Sequence, residues 1–221
     1  MVCLIETARN CGPFSSRSRF QRALLAGGAL LVMAALVALP AAGQRGAHAL
    51  QRNLAQLVSD SHTILRGRVL SVHAEPHPQY GNLMTVVVTL EVLEVLKGQV
   101  PTPYTFRQFV VDSRDAQQNM NYRLGQEVFL MLTKPSPIGL CSPAGLEQGR
   151  FRFVVDAQGN RLAVNGYNNM GLFRNIDKSA PQLSSQLAPG AQQLLTQHRS
   201  GPISYDQLRS MIQALMANPT N

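Results

Sequence analysis

Residues 83–97 read Leu83-Met84-Thr85-Val86-Val87-Val88-Thr89-Leu90-Glu91-Val92-Leu93-Glu94-Val95-Leu96-Lys97. Met84, Val86, Val88, Leu90 and Val92 alternate as a strand with one buried face does. After Val92 the parity flips, so that Leu93 and Val95 carry the apolar face and Glu94 points away. One extra residue reverses the facing of a strand, so the flip predicts a β-bulge. Thr63–His73 also reads as a strand, with Gly67 in its middle where a bend is tolerated. Long, bent, bulged strands are what closing a small barrel requires.

Outward from this pair, Ala74–Asn82 is a turn rich in Pro and Gly, and Gly98 ends the long strand. Pro103–Val111 is a third strand, Asp112–Tyr122 a polar loop, Glu127–Thr133 a short apolar strand and Gly139–Ser142 another. Phe151–Val155 and Leu162–Asn165 flank Asp156-Ala157-Gln158-Gly159-Asn160, a hairpin loop. Residues 50–61 form an amphipathic helix through Leu50, Leu54, Leu57 and Val58. Residues 174–203 are rich in Ser, Gln, Ala and Pro with little apolar periodicity, and read as a flexible linker. Residues 204–217 form a helix: Ser204 and Gln207 have capping-box spacing, and Leu208, Met211, Ile212, Leu215 and Met216 make one stripe. A helix this short is marginal alone, so it must dock on the barrel or on a partner. The β-barrel domain is therefore expected over 50–173.

Residues 1–43 read as a signal peptide or N-terminal anchor. Ala23 to Gly43 carries no charge, follows Arg17, Arg19 and Arg22, and ends in Leu39-Pro40-Ala41-Ala42-Gly43, the layout of a secretory signal. The small residues suit cleavage before Gln44. The run is also long enough to stay in the inner membrane uncleaved, and then residues 23–43 are the only membrane contact. The expected location is periplasmic or secreted, with the anchored form as the alternative.

Only 14% of the 221 residues are charged, against roughly 25% in average soluble proteins, which makes the surface polar but weakly charged. The net charge of +8 falls to +5 without residues 1–43, a mild excess that does not demand nucleic acid. Cys3 and Cys11 precede the apolar run, so Cys141 has no partner in an exported domain and reads as a small buried hydrophobe.

Residues 57–69 (Leu57-Val58-Ser59-Asp60-Ser61-His62-Thr63-Ile64-Leu65-Arg66-Gly67-Arg68-Val69) come first in a set of ordered landmarks. They are followed by Val92-Leu93-Glu94-Val95-Leu96-Lys97-Gly98 and Leu124-Gly125-Gln126-Glu127-Val128-Phe129-Leu130-Met131-Leu132, then Gly145-Leu146-Glu147-Gln148-Gly149-Arg150-Phe151. This order resembles the small exported bacterial domains with a netrin-like, tissue-inhibitor-of-metalloproteinase (TIMP) fold. The likeness covers under half the chain, and Lys97-Gly98 is its most distinctive pair. It implies a mainly β fold: a small closed or partly open OB-type (TIMP-like) barrel with a short N-terminal helix and a C-terminal helix. It implies no activity. The eukaryotic inhibitors use a disulfide-tied N-terminal Cys, and no Cys stands near the expected mature start.

Two His and a Glu could bind a transition metal. His73, Glu75 and His77 are the candidates, although Pro76 and Pro78 break their geometry and favour a solvated turn. His62 beside Asp60 and Ser61 does not make a triad, which is assembled from distant segments. No G-x-S-x-G, H-E-x-x-H, P-loop or C-x-x-C occurs. Arg107, Arg150 and Arg152 alternate with Phe106, Phe109, Phe151 and Phe153, a pattern that reads as core-in, charge-out rather than a nucleic-acid face. No catalytic residue and no cofactor is expected. These readings converge on a non-enzymatic binding or interaction module of the bacterial cell envelope, its partner an unidentified protein or envelope component. The alternatives are an envelope hydrolase with a site assembled from distant segments, or an OB-type nucleic-acid binder.

Overall fold

The structure, a computed structural model, describes residues 50–110 and 112–217. The expected signal segment 1–43, its apolar run 23–43, Cys3, Cys11 and the start at Gln44 lie outside the described residues. Seven strands form one antiparallel sheet in the order β3-β2-β1-β4-β5-β6-β7. They are β1 (Thr63–Pro76), β2 (Met84–Lys97), β3 (Tyr104–Phe109), β4 (Glu127–Leu132), β5 (Arg150–Val155), β6 (Arg161–Asn165) and β7 (Ile203–Ser204). The fold is mainly β, as expected. The ladder itself is open. Isolated bridges join Arg107 to Leu140 in parallel and Leu132 to Pro143 in antiparallel fashion, so residues 140–143 touch both β3 and the end of β4.

β1 and β2 pair along their whole length, with register shifts that leave Leu93 and Leu96 as extra residues in β2 and Leu70 in β1. The bulge at Leu93 falls where the parity flips. Beyond it the facing departs from expectation: Val95 is 40% exposed, and Leu96 packs inward instead. The second bulge, at Leu96, reverses the strand again. A Cβ on Gly67 would lie 2.9 Å from the Glu91 carbonyl oxygen, so the crossing of these strands leaves no room for a side chain. Gly98, at φ +82°, sits against the His62 carbonyl, while the Lys97 ammonium donates to the Val58 carbonyl at 2.7 Å. The Lys97-Gly98 pair thereby ties the end of β2 to Val58 and His62 ahead of β1.

Alternation along the central strands feeds two cores. Val128, Leu130 and Leu132 of β4 join Leu65, Val69, Val86, Val88, Leu90 and Phe106 on one face. Phe129 and Met131 turn to the other face, where helices cover Ile64, Phe151 and Ala163. The first of these helices, α1 (Leu54–Asp60), starts later than the sequence suggests. Asn53 caps it in a box with Gln56, and Leu50 lies outside it, 85% exposed. Asn53 also donates to the Arg174 carbonyl and to Ser179, which links α1 to the chain that follows the sheet.

A short helix, α2 (Ser113–Gln117), occupies the polar loop after β3. Residues 174–203, expected as a linker, hold α3 (Ile176–Ser179) and α4 (Pro189–Gln197). Ile176, Ala180, Leu183, Leu187 and Ala191 are buried in the helix-side core. Their three- and four-residue spacing is helical, but Pro181 and Pro189 cut it into pieces and the Gln and Ser between them dilute it. The last helix, α5 (Tyr205–Ala217), buries Leu208, Met211, Ile212 and Leu215, with Met216 partly covered. Tyr205 meets Phe129 and Phe153 edge to face at 5.7 and 5.1 Å, which anchors α5 to β4 and β5.

Candidate functional site

A cleft of about 840 Å³ opens in the segment 170–199. Its position follows from the turn after β6, where Asn168, Asn169 and Asn175 hold left-handed backbone. Asn tolerates that conformation better than other side chains do. Asn169 is fully buried; its side-chain amide donates to the Ala163 and Gly201 carbonyls, and its oxygen accepts from the Asn165 N–H. The Asn165 amide in turn donates to the Gln148 carbonyl at 3.0 Å. These bonds fix the loop that carries Phe173 and Arg174. α3 supplies Ile176 and Asp177, and α4 supplies Leu195, starting cleanly because Pro189 occupies its first turn.

The cleft is walled by Met170, Phe173, Ile176, Ala180, Leu183 and Leu195. Into it faces His198, whose ring meets Phe173 edge to face at 5.5 Å. The His198 Nε2 is buried and has no hydrogen-bond partner among the described residues. Burial pushes its pKa below the ordinary value, so the ring is neutral at pH 7. Arg174 and Arg199 stand exposed beside it, with Asp177 the one carboxylate of the lining. Arg199 donates to the Thr196 carbonyl at 2.8 Å.

A second, more polar cleft of about 450 Å³ lies beside β5. There Arg150 stacks over the Tyr122 ring at 4.6 Å and pairs with Glu147 at 2.7 Å. Its side chain is only 12% exposed, so the charge-out expectation fails at this position: the guanidinium lies inward because a ring, a carboxylate and the Met120 carbonyl receive it. Burial pushes the Tyr122 phenol up to about 12. Arg123 and Arg152 complete the lining.

A third cluster joins α5 to the sheet. Glu94 accepts from Arg66, Tyr205 and Arg209, and Arg66 and Arg161 share Glu127. Burial works against the Glu94 charge, but the bonds from Tyr205, Arg209 and Arg66 outweigh it and hold the carboxyl below its usual range.

Of the candidates read from sequence, His73 and Glu75 meet at 3.3 Å, and Glu75 also pairs with Arg107 at 2.6 Å. That bond with Arg107 leads the effects that lower the Glu75 pKa. His77 departs from the other two and from the expected solvated turn. It is 4% exposed, its Nδ1 accepts from the Gln79 N–H, and its Nε2 faces the Ile138 carbonyl at 2.9 Å. The imidazole is spent on joining the turn at Gln79 to the loop at Ile138. Among the described residues no group of three or more His, Cys, Asp or Glu is placed to hold a metal ion.

Cys141 is buried, and its thiol donates to the Thr133 carbonyl; burial pushes its pKa up to about 11. Of the proposed aromatic–arginine pairs, Phe106 and Phe151 are core, and Phe109 is the exposed ring. His198, Arg174 and Phe173 were missed in the sequence. The first two fall in the segment read as a linker, and the signal that could have marked that segment is the interrupted spacing Ile176, Ala180, Leu183, Leu187, Ala191. No family model, curated protein or solved structure matches the chain.

Proposed function

We propose that the chain is an exported, non-enzymatic binding module of the bacterial cell envelope, and that the 170–199 cleft is its ligand site. We also read β1–β4 with residues 140–143 as an OB-type barrel. The two bridges of that segment support this, together with the Cys141 N–H donating to the Arg107 carbonyl at 2.8 Å.

One observation carries the functional reading. The cleft combines an apolar wall with a buried imidazole nitrogen that nothing in the described chain satisfies. Buried polar atoms are almost always bonded, so an orphan on a residue that lines a cleft of ligand size points to a partner the described chain does not supply. The signal layout of residues 1–43 supports an extracytoplasmic address.

The test is mass spectrometry of the full chain expressed in a bacterial host and recovered from the envelope fractions. Under denaturing conditions the expected mass is that of a chain beginning near Gln44. Under native conditions an added small-molecule mass should appear and vanish on denaturation. A full-length mass in the membrane fraction would replace secretion by the anchored form, and recovery from the cytoplasm alone would overturn export.

A further inference from the structure

We infer that the ligand of the 170–199 cleft is a single-chain amphiphile with one negative charge. Its acidic head would lie against Arg174, Arg199 and His198, and its alkyl tail would run along Ile176, Leu183 and Leu195. This rests on the reading of the cleft as the ligand site.

Charge carries the head. Of the described arginines, Arg52, Arg66, Arg68, Arg107, Arg114, Arg150, Arg161 and Arg209 each pair with a carboxylate. The four that do not are Arg123 and Arg152 in the polar cleft and Arg174 and Arg199 in this one. In a domain that matches its guanidiniums so thoroughly, an unmatched pair at the rim of an apolar cavity is a place for an anion. Against Asp177 the pair leaves a single positive charge. His198, whose pKa burial lowers, lines the cleft beside them without adding charge.

Shape and chemistry carry the tail. The wall is mostly aliphatic, and its one phenyl ring, Phe173, packs at 5.5 Å against His198. A flexible alkyl chain can follow such a wall without a ring to stack on. The volume of about 840 Å³ lies within the range for small-molecule sites.

The test measures displacement of N-phenyl-1-naphthylamine from the full chain by octanoate, decanoate, dodecanoate and dodecyl phosphate below their micellar concentrations, and by dodecanol below its solubility limit. The dissociation constant should fall about fourfold per added methylene along the carboxylates. Dodecanol should bind about tenfold more weakly than dodecanoate. The double variant Arg174→Gln/Arg199→Gln should bring dodecanoate to the dodecanol level, and Ser184→Trp, an exposed position in the lining, should abolish displacement. Tighter binding of dodecyl phosphate, which carries about −1.5 to −2 at pH 7, would overturn the single charge and leave the acidic head and the cleft. Equal binding of dodecanol and dodecanoate would overturn the acidic head and leave the cleft as a ligand site. Failure of the naphthylamine to bind, or binding that Ser184→Trp does not touch, would overturn both.

Discussion

At Gly67 the two longest strands approach so closely that an added Cβ would meet the Glu91 oxygen at 2.9 Å and the Leu90 Cβ at 3.2 Å. Backbone cannot yield as a flexible side chain can, so Gly67→Ala forces the strands apart. The expected cost is about 1–3 kcal/mol, the usual range for overpacking. It would be read as a lower denaturant midpoint with an unchanged slope. An unchanged midpoint would mean that the bulge at Leu93, next to the Gly67–Val92 pairing, absorbs the methyl group. The bend at this glycine was legible in the sequence because Gly inside a strand has few other uses. The inward turn of His77 was not, because its partners are the backbone atoms of Gln79 and Ile138, which carry no side-chain signature.

Among the elements, α5 shows how far a periodic stripe can be trusted. Leu208, Met211, Ile212 and Leu215 are buried, three of them completely, against α1 and the sheet. Ile212→Ala should therefore cost about 2–5 kcal/mol, measured by chemical denaturation, and Met216→Ala clearly less because Met216 is only partly covered. Equal costs would show that α5 does not dock by this face. β1 to β4, the hairpin of β5 and β6, and α5 were legible because each holds one period over most of its length, whereas the two-residue β7 carries no period and Gly139–Ser142, expected as a strand, makes only an isolated bridge. α3 and α4 were not. Prolines break their period, and their burial depends on a loop held by Asn165 and Asn169, contacts that no local pattern announces. The candidate site lies in that illegible stretch, away from the His73, Glu75 and His77 that the sequence brought forward.

For the whole molecule, acid acts through two groups of depressed pKa. Glu94, with Glu75 and Asp156, is lowered from the ordinary carboxyl value, and His198 is lowered from the ordinary imidazole value. In each case the unfolded chain takes up the proton before the folded one does. The stability these groups contribute is thus present above the unfolded pKa and lost as the pH falls through the folded one. Two windows follow, one opening just below about pH 6.5 for His198 and one below about pH 4.3 for the glutamates. Thermal melts across pH should show His198→Phe flattening the upper window and Glu94→Gln shrinking the lower one. A melting temperature that rises as the pH falls from about 7 to about 5 would contradict the assignment.

The contact between α1 and α5 also has a consequence in time. One helix precedes the whole sheet and the other follows it, so the first is made long before its partner exists. At about 5–20 residues per second, α1 waits on the order of ten seconds for α5 to be synthesised. The core of Leu65, Val88, Phe106 and Leu130 needs nothing beyond Cys141 and can close during that interval. The side carrying Phe129, Met131 and Phe151 stays bare until the last helix arrives. A nascent chain thus passes through a half-finished stage with one sealed face and one sticky one, and any holding factor that escorts it would meet it there.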